Sequence, residues 1–477
     1  MTRCRPRSGA DGVHAEGRTS RAERADPVER DARDSSLVAE GEDFVAVGRG
    51  WLRALVAYGR KVYDLRERLG AVTDSRQQAI VPASDVAAAV FFCGLLRIRS
   101  FNALEPRLRE SPYRRLIGSE AEPRRLVCAD TLSRVLRRMD LATLRSIVVG
   151  MVKQAERNKV FREGWYRALR YVAVDGWEPI TSRGRHCRHC LVRRVKVKDR
   201  TGAIVEVEEY YHRYVVAMLI DARFDLMLDL EPLLPSDRRP SGSPQDEGEL
   251  TAARRLVLRL AETYPWVDVV VADGLYANGP FLTTVKEAGL GAVVIAKKAT
   301  DEPLREALTL WSGQPATETI EDRERGEQLA LWDCRGVETL MTYRGPIRVV
   351  RGEVRRRDEP TAGRRTWCMA VTGTAMRLSS ADVLSVARAR WHIENTGFHQ
   401  WTTRWRFAHV FVHDGPGIEA LYWLFFAAYN LLTLFLYRQV RRYGRDRGGD
   451  GTRTISRLID EMLDELARLT ESPWDTS

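Results

Sequence analysis

Tyr171-Val172-Ala173-Val174-Asp175-Gly176 and Val267-Asp268-Val269-Val270-Val271-Ala272-Asp273-Gly274 decide how this 477-residue chain is read. Each is a short apolar run, rich in β-branched residues, that stops on an aspartate, as a buried strand does where it reaches the edge of a sheet. A carboxylate at that point is held by packed backbone while its head reaches solvent. A third acid, Glu394, follows Trp391-His392-Ile393. Arg390, four residues earlier, shares its helix face. Two strand-end aspartates and a helical glutamate form an oxygen donor set suited to Mg²⁺ or Mn²⁺. The residues alone leave a plainer reading open: an Asp-Gly pair also ends a strand as a simple turn, and Arg390 with Glu394 makes an ordinary helical ion pair worth about 0.2–0.5 kcal/mol.

Outward from these runs, strands are expected at 169–175, 191–198, 211–220 and 225–231. A Pro/Gly/Ser-rich turn at Pro235 to Pro244 then leads into a helix at 247–263, a strand at 267–273, a helix at 280–288 and a strand at 291–296. This is an α/β core. Residues 1–45 alternate charge with Gly and Ser and read as a solvated tail. Residues 46–165 carry helical spacing and many arginines, so an added N-terminal helical domain is expected, with Asp130-Thr131-Leu132-Ser133 opening one of its helices. The core's first part spans 166–298. Short alternating pieces predict a β-rich insertion at 299–376, helices resume over 377–443, and 444–477 holds a basic linker and a last helix. The apolar run ending at Leu436 is interrupted by Asn430 and is expected to be a buried helix, with no membrane association.

The formal charge of +11, from 76 Lys and Arg against 65 Asp and Glu, favours a polyanionic partner. No uninterrupted apolar stretch follows the first basic residues, so a secretory signal is not expected and the chain is expected in the cytoplasm. Seven cysteines at irregular spacing do not resemble a disulfide framework.

The segments Ala173-Val174-Asp175-Gly176, Val271-Ala272-Asp273-Gly274-Leu275-Tyr276 and Arg390-Trp391-His392-Ile393-Glu394-Asn395 with Phe398 resemble the DDE transposases of the IS4-like group, over about residues 165 to 435. The resemblance implies a ribonuclease-H-like catalytic core with a β-rich insertion between the second Asp and the Glu. It implies that Asp175, Asp273 and Glu394 are the catalytic, metal-holding triad and that Arg390 supports them. It implies double-stranded DNA with terminal inverted repeats and target DNA as partners, a homodimer on DNA, and association with the nucleoid. Metal-dependent cleavage would free 3′-hydroxyls that then attack target DNA. The chain departs from the family at Ala387, where Tyr is common, and at Trp401, where Lys is expected. Arg404 or Lys297-Lys298 would replace that missing cation. A metal-dependent nuclease that does not join strands, and a DNA-binding protein that has lost its chemistry, are the alternatives.

Other features are read more plainly. Cys187 and Cys190 have the spacing of a zinc hairpin with His212 as the obvious later partner, but an exposed or weakly packed turn is the expectation. Arg183, Arg185, Arg188, Arg193 and Arg194 are expected near donor DNA. Of Trp391, Trp401 and Trp405, at least two are expected in the core and one against distorted DNA. His409 and His413, four apart, are expected to pack or touch DNA rather than bind metal. Glu318, Glu321, Asp322 and Glu324 are expected to be solvated acids of the insertion.

Overall fold

The computed structural model describes residues 50–119, 127–161, 169–220, 224–238, 245–296, 302–338, 340, 342–357, 364–439 and 455–475. The expected tail at 1–45, Lys297-Lys298, the turn residues from 239 to 244 and the linker at 444–453 lie outside them.

Ten described strands form one mixed sheet: β1 (Tyr171–Ser182), β2 (Leu191–Lys198), β3 (Ile204–Ile220), β4 (Asp225–Pro232), β5 (Val269–Ala272), β6 (Gly291–Ile295), β7 (Glu318–Asp322), β8 (Glu327–Val337), β9 (Ile347–Arg356) and β10 (Arg365–Thr372). Their order is β2-β3-β1-β5-β6-β10-β9-β8-β7, and β4 pairs with the later half of β3. The apolar runs at the centre are the parallel trio β1, β5 and β6, buried on both faces. The expected insertion does not form a separate layer. Its last strand, β10, pairs antiparallel with β6, so β7 to β10 extend the same sheet.

The helices α1 (Trp51–Tyr63), α2 (Leu65–Gly70), α3 (Ala83–Leu95), α4 (Phe101–Arg109), α5 (Ser111–Ile117), α6 (Ala129–Leu136) and α7 (Leu141–Arg157) precede the sheet. α8 (Glu249–Thr263), α9 (Gly279–Glu287), α10 (Glu302–Leu310) and α11 (Ser380–Ala389) flank it. A helical segment over 391–403 follows, ending in α12 (His399–Thr403), and then come α13 (Gly415–Gln439) and α14 (Ile455–Ala467). α13 is long and apolar enough to cross a membrane, yet it is largely buried here against α3, α6, α7 and β4. Its Asn430 is fully buried and pairs with both backbone groups of Met227, at 2.9 and 2.8 Å, beside the irregularity in the β3–β4 pairing. That satisfies polar groups which would otherwise be costly inside the core. α14 packs on α1, and Glu465 accepts from the backbone N–H groups of Leu52 and Arg53 at 2.8 and 3.1 Å, capping a helix whose N-cap, Gly50, has no side chain to do so.

Candidate active site

The two aspartates are neighbours because β1 and β5 run parallel in a fixed register. Tyr171 lies opposite Val269 and Val174 opposite Ala272, so Asp175 and Asp273 follow at matching positions. The Asp273 carboxylate is near enough to raise the pKa of Asp175. One expectation needs correction: Asp175 does not close its strand. β1 runs on to Ser182 in a hairpin with β3, and Asp175 marks the point where pairing with β5 stops. The turn-forming reading is realised at Asp273, which caps a short 3-10 turn, and not at Asp175, which stays within its strand. Asp175 Oδ1 accepts from Gly176 N, and Asp273 Oδ1 accepts from Leu275 N, each at 2.8 Å.

Glu394 comes from the 391–403 segment, whose middle, Ile393–Phe398, is wound as a π-helix: the N–H of His399 bonds the carbonyl of Glu394, five residues back. Such wider turns are frequent at functional sites. Arg390, nearly fully buried, donates to Asp175 Oδ2 at 2.8 Å and pairs with Glu394 Oε1 at 2.6 Å. The spacing of Arg390 and Glu394 therefore serves a bridge between strand and helix, which an exposed i,i+4 pair would not.

The other side of the segment is pinned by Asp225, at the start of β4. Thr396 Oγ1 donates to Asp225 at 2.6 Å, and His392 Nδ1 lies 3.1 Å from the same carboxylate. Burial disfavours the charged imidazole of His392, but Asp225 outweighs it and raises its pKa. Asp225 was not picked out from the sequence. The signal was the His392/Thr396 pair, which repeats the Arg390/Glu394 spacing on the opposite side of the helix. Glu249, at the start of α8, is a second missed acid. It accepts from Tyr276 Oη at 2.7 Å, pairs with Arg213 at 2.5 Å, and lies so close to Gly176 that a Cβ there would sit 2.1 Å from its Oε2. Gly176 is what lets that carboxylate approach Asp175.

Burial pushes the Asp175 carboxyl up to about 7. Arg390 opposes the rise, and the carboxylates of Asp273, Glu394 and Glu249 add to it. In this half-buried cluster of acids, Arg390 pairs with Asp175 and Glu394, and Arg213 with Glu249. The cluster's donors are all hard oxygens, the kind that Mg²⁺ or Mn²⁺ takes, but Asp175, Asp273 and Glu394 are not drawn together into a ready ligand group, and Arg390 stands between Asp175 and Glu394.

The aromatic residues hold this geometry. Trp177, two residues beyond Asp175 on the same strand, stacks on Phe398 at 6.0 Å and meets Trp401 edge-on at 5.4 Å and Tyr422 at 5.0 Å. Trp401 and Trp405 are buried, as is Ala387, so neither family departure reaches the surface. Trp391, 38% exposed, is the tryptophan left for a partner, and its ring lies 6.0 Å from the Arg390 guanidinium carbon. Arg404 is exposed. Of the basic stretch, Arg193 is engaged by Glu178 and Glu209 and Arg183 by Glu209, whereas Arg185, Arg188 and Arg194 are exposed. Glu318, Glu321, Asp322 and Glu324 lie on or beside β7, at the far edge of the sheet from β1; Glu321 pairs with Arg357 and Asp322 with Arg325.

Nearby, His409 and His413 lie in a loop, and His413 reaches Cys190 at 3.4 Å. The Cys187–Cys190 turn departs in part from its expectation: Cys190 is buried and Cys187 half-buried, while Arg188 between them is exposed.

No curated protein matches the chain. Residues 205–431 match the family model of the transposase DDE domain, a span that contains Asp273, Arg390 and Glu394 and begins beyond Asp175, and this match supports a DDE transposase.

Proposed function

We propose that the chain is a transposase of the IS4-like group of insertion sequences, with a ribonuclease-H-like core, that cleaves the ends of a mobile element and joins their 3′-hydroxyls to target DNA. The observation that carries this is that Asp175 and Asp273 each follow the last in-register pair of two adjacent parallel strands, Val174 and Ala272, with Arg390 joining Asp175 to Glu394. Asp175 and Asp273 would hold Mg²⁺ or Mn²⁺ directly, and Glu394 would complete the set. When bound, the ion supplies Lewis acidity towards a phosphate and a water of lowered pKa. Arg390 keeps Asp175 and Glu394 at a fixed separation and neutralises part of their charge until DNA arrives. Trp391 offers an exposed ring beside the site for an unstacked base, and Arg404 offers a cation for the backbone in place of the lysine that Trp401 replaces.

The net charge of +11 suits double-stranded DNA with terminal inverted repeats and target DNA. Pairing two ends calls for a homodimer on DNA, and the protein would work in the cytoplasm on the nucleoid. The helices from α1 to α7 are the candidate for end recognition.

Trp401, sealed in the core at the expected lysine position, favours a second reading: a nuclease that does not join strands, or a DNA-binding protein without chemistry. One experiment separates them. The chain is incubated with DNA carrying the element's flanking ends and Mg²⁺ or Mn²⁺, beside Asp175→Ala, Asp273→Ala and Glu394→Ala. Cleavage and joining lost in all three variants, with end binding kept, supports the transposase. Cleavage without joining supports the nuclease, and binding without cleavage supports the decayed form. Full activity in any one variant removes that residue from the site.

A further inference from the structure

Away from the carboxylates, four side chains from three distant stretches converge on one point. Cys187 and Cys190 flank the turn between β1 and β2, His212 lies on β3, and His413 lies in the loop before α13. Their ligand atoms all fall within 4.8 Å of one another, the one such group of acidic, Cys or His side chains among the described residues. The spacing has a specific shape. A tetrahedral zinc ion with bonds of about 2.3 Å to sulfur and about 2.0 Å to nitrogen implies ligand separations of about 3.8 Å for S–S and about 3.5 Å for S–N. The two sulfurs are 3.7 Å apart; His212 Nε2 lies 3.5 Å from Cys187 Sγ and 3.4 Å from Cys190 Sγ, and His413 Nε2 lies 3.4 Å from Cys190 Sγ. A disulfide would need the sulfurs at about 2.05 Å.

The surroundings are arranged for thiolates. The backbone N–H of Cys187 points to Cys190 Sγ at 3.3 Å and that of His189 to Cys187 Sγ at 3.4 Å, so two donors face the sulfurs from within their own turn. Cys190 and His212 are buried, Cys187 and His413 partly so. The loop bearing His413 is pressed against the turn: a Cβ on Gly415 would lie 2.7 Å from His189 Cβ. That close approach is independent of the four ligands and brings His413 in from 223 residues away.

We propose that Cys187, Cys190, His212 and His413 bind one Zn²⁺ ion as a closed structural site. Four protein ligands leave no open position, so the ion would carry out no chemistry. Soft sulfur and imidazole donors would not hold Mg²⁺ or Mn²⁺, and the all-oxygen triad would not compete well for zinc, so the two sites sort metals by donor type. The ion would fasten the continuation of the Asp175 strand to the loop that follows the Glu394 segment. The zinc site does not depend on the transposase reading.

The test is elemental analysis of the full chain, isolated under thiol protection and dialysed against metal-free buffer, together with cobalt(II) added to zinc-depleted chain. One zinc per chain and a thiolate-to-cobalt charge-transfer absorption are expected. Asp175→Asn with Glu394→Gln keeps both; Cys187→Ser with Cys190→Ser loses both; His413→Gln, which removes one of four ligands, binds zinc measurably more weakly. These wild-type measurements need no variant to fold. Less than stoichiometric zinc with no cobalt charge-transfer absorption overturns the site, as does a Cys187–Cys190 disulfide in the freshly isolated chain. Zinc retained by the double cysteine variant, or lost with the carboxylates, places the ion elsewhere and overturns it equally.

Discussion

The carboxylate site and the cysteine-histidine cluster share a strand and its turn, yet they are assembled differently. Asp175 and Asp273 each come one residue after the last pair, Val174 and Ala272, of two buried parallel strands, so the ladder delivers both to the same end of the sheet. Cys187, Cys190 and His413 come from a turn and a loop, and only His212 lies on a strand. Regular structure can hold like charges together against their repulsion, because many packed residues oppose the separation. Loops have little packing of their own and need a bond, here to a metal, to stay in place. The first region therefore stores electrostatic strain in a stiff frame, and the second converts ligand chemistry into order.

The largest effect that would sharpen the contrast is on catalysis. Asp175→Ala, Asp273→Ala and Glu394→Ala should each lower DNA cleavage by about 10³-fold or more, about 4 kcal/mol of transition-state stabilisation, while the thermal midpoint in metal-free buffer stays level or rises. A clear fall in the midpoint of Asp175→Ala would show that the acid stabilises the fold and would break the comparison. Zinc removal should act the opposite way, lowering stability by roughly 4 kcal/mol, as expected for a metal present at about 1,000 times its Kd, with calorimetry as the readout. Trp401→Ala should cost about 3 kcal/mol in a denaturant titration, and Trp401→Phe clearly less, since the buried indole N–H has no hydrogen-bond partner to lose.

Acidity gives a smaller effect with a definite sign. Because burial and neighbouring acids raise Asp175 from its ordinary value to about 7, the folded chain holds a proton there that the unfolded chain has already released. Between about pH 4 and 7 the unfolded state binds fewer protons, so this group makes stability fall as pH rises, and its contribution levels off above about 7. Mn²⁺ must displace the same proton, so its affinity, followed by calorimetry, should climb about tenfold from pH 6 to pH 8. His392 behaves inversely to a depressed acid: its raised pKa gives stability that is complete below about 6.5 and lost as pH rises through the folded value. The smallest expected change is that of His392→Gln, about 1 kcal/mol or less, visible below that pH and fading above it.

Much of the sheet was legible because period and length agree. The run at 191–198 reads as the strand it is, and the helices and strands between 247 and 296 sit within two residues of their expected ends. Strand partners are not written in that way. Nothing in Arg365–Thr372 says that it pairs with β6, since alternation fixes which face a strand buries and leaves its neighbour open. The candidate site divides likewise. Asp175 and Asp273 stand out because each follows an apolar run, whereas spacing alone reads Arg390 and Glu394 as an ordinary helical pair and the family resemblance is what singles them out. Asp225 was missed because it opens a strand whose partners decide its role, and His413 reads as a packing or DNA-contact residue because its cysteine neighbours lie 223 or more residues away in sequence. The π-wound turn at Ile393–Phe398 leaves no periodic trace, as it shifts register by a single residue.

The pairing of β10 with β6 also bears on how such a chain could be shortened. Excising 299–376 would strip the backbone of β6 of its neighbour and turn an interior strand, Gly291-Ala292-Val293-Val294-Ile295, into an uncapped apolar border. A border of that kind invites another copy of itself. Truncated forms of this protein would therefore be expected to precipitate as strand-to-strand aggregates, and the segment between the second aspartate and the glutamate serves as the sheet's solubility guard.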